Sequence, residues 1–238
     1  ASRNLIRHHA HIVKMATLGV YPPEAEPFVQ LLVDSNIVPA FGHDQIPDDR
    51  VLKGFAQGVR HITHLYSSTS SLQRINGFKH LGTTEMALMT PGVTVEVVAD
   101  DRHITRCFWD FIRHNKSVDD ICVVSDSMRC AGVPEDSTVK YQLGEMDVVI
   151  DDGVAWLADK STFAGSISTM HRMFKILVER WDVELMDAVR MTSWNQARRF
   201  GITNQLGSID AGKKADMLFL DNKLNIRTIL KNGQHCVP

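Results

Sequence analysis

One unit repeats along the first half of this sequence: a β-branched run ends in a polar residue and is followed by a segment of helical spacing. The runs are residues 12–18, 37–41, 59–63, 93–99 and 121–124, each read as apolar along its length, as strands buried on both faces must be. Such alternation commits a chain to a parallel sheet whose strands are joined by crossover helices. Segments 23–34 and 47–57 open with proline suited to a first helical turn, and 104–114 carries apolar residues at helical spacing. After Asp126 the grammar changes. Residues 139–157 alternate around the Asp151-Asp152-Gly153 turn signal and predict a β-hairpin excursion. Residues 165–181 read as a helix whose stripe of Ile167, Met170, Phe174, Leu177 and Val178 is core packing, followed by short helices at 183–191 and 194–200. From Leu206 the chain returns to strands, 215–220 and 226–230, with Asn232-Gly233 as a tight turn.

Charge narrows the choice of partner. With 26 Lys+Arg against 28 Asp+Glu, the formal charge is −2, and no run of like charge tracks a phosphate backbone or a lipid surface. Nucleic acid and membrane are therefore not expected as partners. The apolar stretches stop well short of the roughly 20 residues a bilayer span requires, and residues 1–11 lack the apolar block of a secretory signal. Cys107, Cys122, Cys130 and Cys236 show no CxxC spacing, which reads as thiols in a reducing compartment, the cytoplasm.

In a parallel α/β fold, chemistry sits beyond the carboxyl ends of the strands. There the second run delivers His43, the third His64, the fourth the Asp100 to His103 segment and the fifth Asp126. Any one of these residues alone is more often a turn or a cap. Together, two neutral imidazoles and a carboxylate make a common shell for a catalytic divalent ion, Zn²⁺ foremost. His9 and His11 precede their strand and so belong to the opposite end, and His61, three residues before His64, reads as a packing residue. The hydroxyl-rich loop from Ser67 to Ser71 is a solvent-facing turn or a phosphate or sugar contact. Neither a GxGxxG nor a P-loop is present, which weighs against a nucleotide cofactor.

The stretch Thr63-His64-Leu65-Tyr66 resembles the THLYNAM-like sixth strand of N-acetylglucosamine-6-phosphate deacetylases, which supplies a metal-binding histidine. Other pieces agree in order. Lys14 to Leu18 is similar to the fourth strand of that family, and Phe41-Gly42-His43 to its GHS-type fifth strand with the other metal histidine. Ala99-Asp100 with His103 resembles the ADGxH segment, whose histidine contacts substrate, and Val124-Ser125-Asp126 the VTDA that carries the catalytic aspartate. Phe163-Ala164-Gly165-Ser166 with Thr169-Met170 is similar to the LSGSxxTM segment bordering the sugar, and Leu206 to Asp216 to the closing signature of the wider amidohydrolase superfamily.

The resemblance implies an α/β fold: an incomplete (β/α)8 TIM-type barrel of the amidohydrolase type with five parallel strands, over residues 1–203, and C-terminal strands from a small β-sandwich, over 204–238. It implies a metal-dependent hydrolase removing an acetyl group from an N-acetyl amino sugar, possibly phosphorylated, and a homodimer. Asp126 is then catalytic, His43 and His64 hold a divalent metal, zinc first, and His103, Ser67, Ser68, Arg74 and Phe163 bind substrate. Ser67 and Ser68 replace the family's asparagine and alanine, and its phosphate-binding arginine falls near Asn76, two residues from Arg74. The family's HxEGP-like segment, with a further metal-binding glutamate, is not found, so three readings of barrel strands one to three stay open: a fragment, a part in another chain, or a shortened homologue. The alternatives in function are a non-catalytic sugar-binding relative and an amidohydrolase acting on a different amide.

Overall fold

The computed structural model describes residues 2–133 and 141–236. Helix α1 (Ser2–His9) leads into strand β1 (Met15–Leu18), helix α2 (Glu26–Asp34), strand β2 (Val38–Phe41), helix α3 (Asp48–Gln57) and strand β3 (His61–Ile62). A hairpin of β4 (Gln73–Ile75) and β5 (Phe78–His80) and helix α4 (Thr83–Met89) intervene before β6 (Thr94–Val97), α5 (Arg106–Asn115) and β7 (Ile121–Val123). The five β-branched runs form one sheet in the order β1-β2-β3-β6-β7, and every pair in it is parallel. Helix α3 stops where Gly58 takes φ +117° and returns its N–H to the last turn, a conformation that glycine adopts without a Cβ penalty.

Register separates the two faces of this sheet. Phe41 lies beside Ile62, Ile62 beside Val95 and Val95 beside Ile121, and neighbours in a parallel sheet point the same way. This row is buried with Val29, Leu32, Val51, Phe55, Ile112 and Leu177 in the main core, where Trp109 stacks on Trp181 with centroids 5.3 Å apart. The opposite face carries Thr17, Ala40, His61 and Thr94 in one row, and Glu96 beside Cys122 in the next. The expectation of runs apolar throughout is thus corrected: only the helix-covered side is uniformly apolar, and the inner side is partly polar.

The second half builds smaller sheets. Strands β8 (Tyr141–Leu143), β9 (Met146–Asp151), β10 (Val154–Leu157) and β11 (Phe163–Ser166) are antiparallel in the order β11-β10-β9-β8. The first two residues of the expected excursion, 139–140, lie outside the described residues. Its turn is as read, with Asp152 and Gly153 both at positive φ. Gly165 and Ser166 belong to a strand, not to the helix expected from residue 165. That helix, α6 (Met170–Lys175), starts only where Thr169 Oγ1 accepts the Arg172 N–H at 3.2 Å, and a π-helical turn (Ile176–Arg180) continues it. The two short helices expected next are one run, α7 (Leu185–Val189) joined by a π turn (Arg190–Trp194) to α8 (Asn195–Arg199). Strands β12 (Met217–Leu220), β13 (Ile226–Lys231) and β14 (Gln234–Cys236) close the chain as an antiparallel sheet.

Helix α8 lies against strand β7. Asn195 Nδ2 donates to the Ile121 carbonyl at 2.7 Å and Gln196 Nε2 to the Val123 carbonyl at 2.9 Å, so side-chain amides satisfy the strand's outer backbone acceptors. Among the described residues no helix is long and apolar enough to cross a membrane, and all four cysteines are free.

At the amino ends of β6 and β7 an open cleft of about 540 Å³ is lined by Arg113, His114, Lys116 and Arg190 among others. This is the end of the sheet away from His43 and His64. Lys116 is buried there and donates to the carbonyls of Ala87 at 2.8 Å and Thr90 at 2.7 Å, at the end of α4. Burial pulls its ammonium down to about 8, against the opposing pull of Asp120. Between that value and its ordinary value of 10.5, the unfolded chain holds more protons than the folded one, so folding stability rises with pH. Urea unfolding is therefore expected to show wild type gaining on Lys116→Met from pH 8 to pH 10; a difference that stays flat would contradict this burial.

Candidate active site

His43 and His64 stand just past the carboxyl ends of β2 and β3, and both turn there with left-handed backbone, φ +51° and +27°. Such values are uncommon outside glycine and store strain. The turns bring the rings together: the Nε2 atoms are 2.8 Å apart and the rings meet edge to face at 83°. His64 is buried and His43 exposed, so the pair opens to solvent on one side. Gly42 permits the close approach of the strands beneath, since a Cβ there would lie 2.8 Å from the Thr63 Cβ. Across it Thr17 and Thr63 share a hydroxyl hydrogen bond of 2.8 Å.

Beneath His64 lies a buried polar cluster that sequence reasoning missed. Glu96 Oε2 accepts the His64 backbone N–H at 3.1 Å, and Oε1 is 2.9 Å from His61 Nε2. His61 Nδ1 in turn meets Thr94 Oγ1 at 2.6 Å, whose hydroxyl donates to the Arg60 carbonyl. Burial works to raise the Glu96 carboxyl, but the hydrogen bonds and charge interaction with His61 and the His64 amide outweigh it and hold the group below its ordinary value. His61 is therefore not the inert packing residue expected. The available signal was an acidic residue inside a strand buried on both sides.

His103 is fixed on the next loop. Its Nδ1 donates to Asp100 Oδ2 at 2.8 Å and its backbone N–H to Oδ1 at 2.8 Å, which leaves Nε2 for a ligand. Desolvation pushes the Asp100 carboxyl up, yet the His103 and Arg102 donors prevail and hold it low. The His103 ring packs on Phe163 with centroids 5.0 Å apart, and Phe163 meets Trp156 edge-on at 4.4 Å. Asp101, at φ +63°, accepts from Trp181 Nε1 at 3.2 Å and tethers the loop to the core.

Asp126 follows β7 at the same end of the sheet, is exposed, and has φ +46°. Its carbonyl accepts the Ser166 N–H at 3.1 Å, which ties this turn to β11. Among the described residues no group of three or more His, Cys, Asp or Glu side chains could hold a metal ion. The structure thus joins His43 to His64 and does not bring Asp126 into a common shell with them. Ser67 donates its N–H to the His64 carbonyl, and Ser68 has φ +50°, so both follow directly on the turn that carries His64. Arg74 is exposed in β4, opposite Lys79 of β5.

Two imidazoles whose Nε2 atoms approach to 2.8 Å suit zinc and other borderline divalent ions when both nitrogens are unprotonated. They account for two ligands of such an ion.

A model of the amidohydrolase family matches residues 42–236. N-acetylglucosamine-6-phosphate deacetylase of Lysinibacillus sphaericus is 26% identical over 93% of this chain and 55% of its own length. That of Vibrio furnissii is 29% identical over 81% of this chain and 46% of its own. The chain spans about half the length of the curated relatives it matches. Among solved structures, N-acetylglucosamine-6-phosphate deacetylase of Pasteurella multocida superposes with a TM-score of 0.88 at 21% identity, over 100% of this chain and 60% of that one. A mutant of the Mycobacterium smegmatis enzyme in complex with N-acetyl-D-glucosamine-6-phosphate gives 0.86 at 25% identity, over 98% and 60%.

Proposed function

Because this chain belongs to the amidohydrolase family, we propose that it forms the catalytic part of a metal-dependent deacetylase acting on N-acetylglucosamine-6-phosphate. The observation that carries this reading is the meeting of His43 and His64 through their Nε2 atoms at 2.8 Å. These two residues would hold the ion, zinc first. When bound, such an ion supplies Lewis acidity towards an amide carbonyl and a lowered pKa for water.

The chain's own groups carry the remaining steps. Asp126, exposed at the carboxyl end of β7, takes a proton from the attacking water and returns it to the departing amine. His103, with Nδ1 committed to Asp100, presents Nε2 to a substrate oxygen. Phe163, backed by Trp156, gives an apolar wall to the acetyl group or the sugar face. Ser67 and Ser68 offer hydroxyls, and Arg74, with Lys79 opposite it in the hairpin, supplies charge for a phosphate. We assign residues 1–203 to the barrel unit and 204–238 to the strands of a small sandwich; the family resemblance supports a homodimer, and the cysteine usage a cytoplasmic location.

The test is metal analysis of the purified protein together with acetate release from N-acetylglucosamine-6-phosphate and from the unphosphorylated sugar. The expected result is a bound divalent ion and release that a chelator removes and zinc restores. Protein that takes up no metal and is inert to both sugars after incubation with zinc overturns the reading. A non-catalytic sugar-binding relative is the second reading, favoured by the want of a three-residue ligand group among the described residues. Sugar binding without acetate release would select it.

A further inference from the structure

We propose that Glu96 is a positioning residue for His64, holding the backbone of that residue in its left-handed turn and so aiming the imidazole at His43. The inference rests on the reading of His64 as a metal ligand. His64 has φ +27°, a conformation that is unfavourable for a non-glycine residue and persists where its surroundings enforce it. The enforcing contact is the Glu96 carboxylate, whose Oε2 takes the His64 N–H at 3.1 Å. The Glu96 main chain adds a second clamp, since its carbonyl accepts the Leu65 N–H at 2.8 Å. Both acceptors come from β6, so the turn after β3 is fixed to the neighbouring strand by one residue.

Glu96 is itself held. Thr94 Oγ1 donates its one proton to the Arg60 carbonyl at 3.0 Å and so accepts from His61 Nδ1 at 2.6 Å. His61 Nε2 faces Glu96 Oε1 at 2.9 Å, a contact that requires one proton between the two atoms. His61 is 1% exposed and Glu96 8%, so the carboxylate has little freedom to swing away. By contrast the outer nitrogen of the His64 ring, Nδ1, is buried without a described partner. The contact that fixes His64 among the described residues is therefore at its backbone, where a side-chain tether is the usual device for a ligating histidine.

The test compares metal affinity, by competition of Zn²⁺ with a chromophoric chelator, in wild type, Glu96→Ala, Glu96→Leu, Glu96→Gln and His64→Ala. Glu96→Ala and Glu96→Leu, which remove the acceptor, are expected to weaken Zn²⁺ binding about 10–100-fold. Glu96→Gln keeps an oxygen for the His64 N–H and an amide N–H for neutral His61, and is expected to stay within about 5-fold of wild type. That rescue is a result a merely structural role would not give. The proposal is overturned if either acceptor-free variant, folded by circular dichroism, binds Zn²⁺ within 2-fold of wild type while His64→Ala loses it. If His64→Ala itself binds normally, the failure belongs to the reading of His64 as a ligand. Should both acceptor-free variants unfold, amide hydrogen exchange of wild type decides: slow exchange at the His64 N–H is required, and exchange at the rate of an unprotected amide rejects the clamp.

Discussion

On the proposed reading, Asp126→Asn is expected to slow acetate release from N-acetylglucosamine-6-phosphate by about 10²–10⁴-fold, the range that general acid–base groups contribute. The substitution isolates the proton. Asparagine tolerates left-handed backbone, so the turn at φ +46° and the Asp126 carbonyl bond to Ser166 N–H survive it. The amide keeps the shape of the carboxylate while giving up its negative charge and its capacity to take up a proton from water. Metal content is expected to be unchanged, because the ion is assigned to His43 and His64 and Asp126 shares no ligand group with them. Steady-state kinetics on protein of matched metal content make the comparison. A kcat/KM within 3-fold of wild type removes Asp126 from the mechanism.

The largest expected change in stability is at Phe41, the last residue of the strand that presents His43. Its ring is fully buried, tilted against Tyr21 with centroids 5.3 Å apart and stacked with Phe55 at 6.2 Å. Gly54 of α3 is bare because the ring occupies the place of a Cβ, which would lie 2.4 Å from it. Phe41→Ala deletes this ring from a rigid setting, where the lost transfer energy and the remaining cavity together cost about 3–5 kcal/mol. A chemical-denaturation midpoint read against an unchanged slope measures it. A loss under 1 kcal/mol would mean that the helices collapse freely onto the sheet.

Five parallel strands were legible because their helix-facing residues are apolar without interruption, from Leu18 and Phe41 through Ile62 and Val95 to Ile121. The polar inner row was not, since period-two alternation inside short runs such as His61–Ile62 leaves too few residues to distinguish a wet face from a dry one. The hairpin of β4 and β5 escaped notice although Asn76-Gly77, both at positive φ, is a strong turn signal; its strands have three residues each, and Phe78 is largely exposed. Helix α4 has seven residues, Thr83–Met89, after the N-cap Gly82, which gives little periodicity to read. The division of 183–200 into two helices failed because a π turn carries the backbone through without a proline or glycine to announce it. In the site, the placement of His43, His64, His103 and Asp126 at strand ends follows from the order of runs. The pairing of Glu96 with His61 depends on register between strands 35 residues apart, which no local pattern encodes.

The carboxamides of Asn195 and Gln196 make the two flanks of the parallel sheet unequal. A visiting strand that approached Ile121–Val123 would first have to evict two amide donors, each worth about 0.5–1.5 kcal/mol, together with the helix that carries them. Beside Met15–Leu18 no comparable occupant is hydrogen-bonded among the described residues. Among the described residues the hydrogen-bonding positions along one flank of the sheet are thus already spoken for by side chains, while those along the other, at Met15 and Thr17, are not.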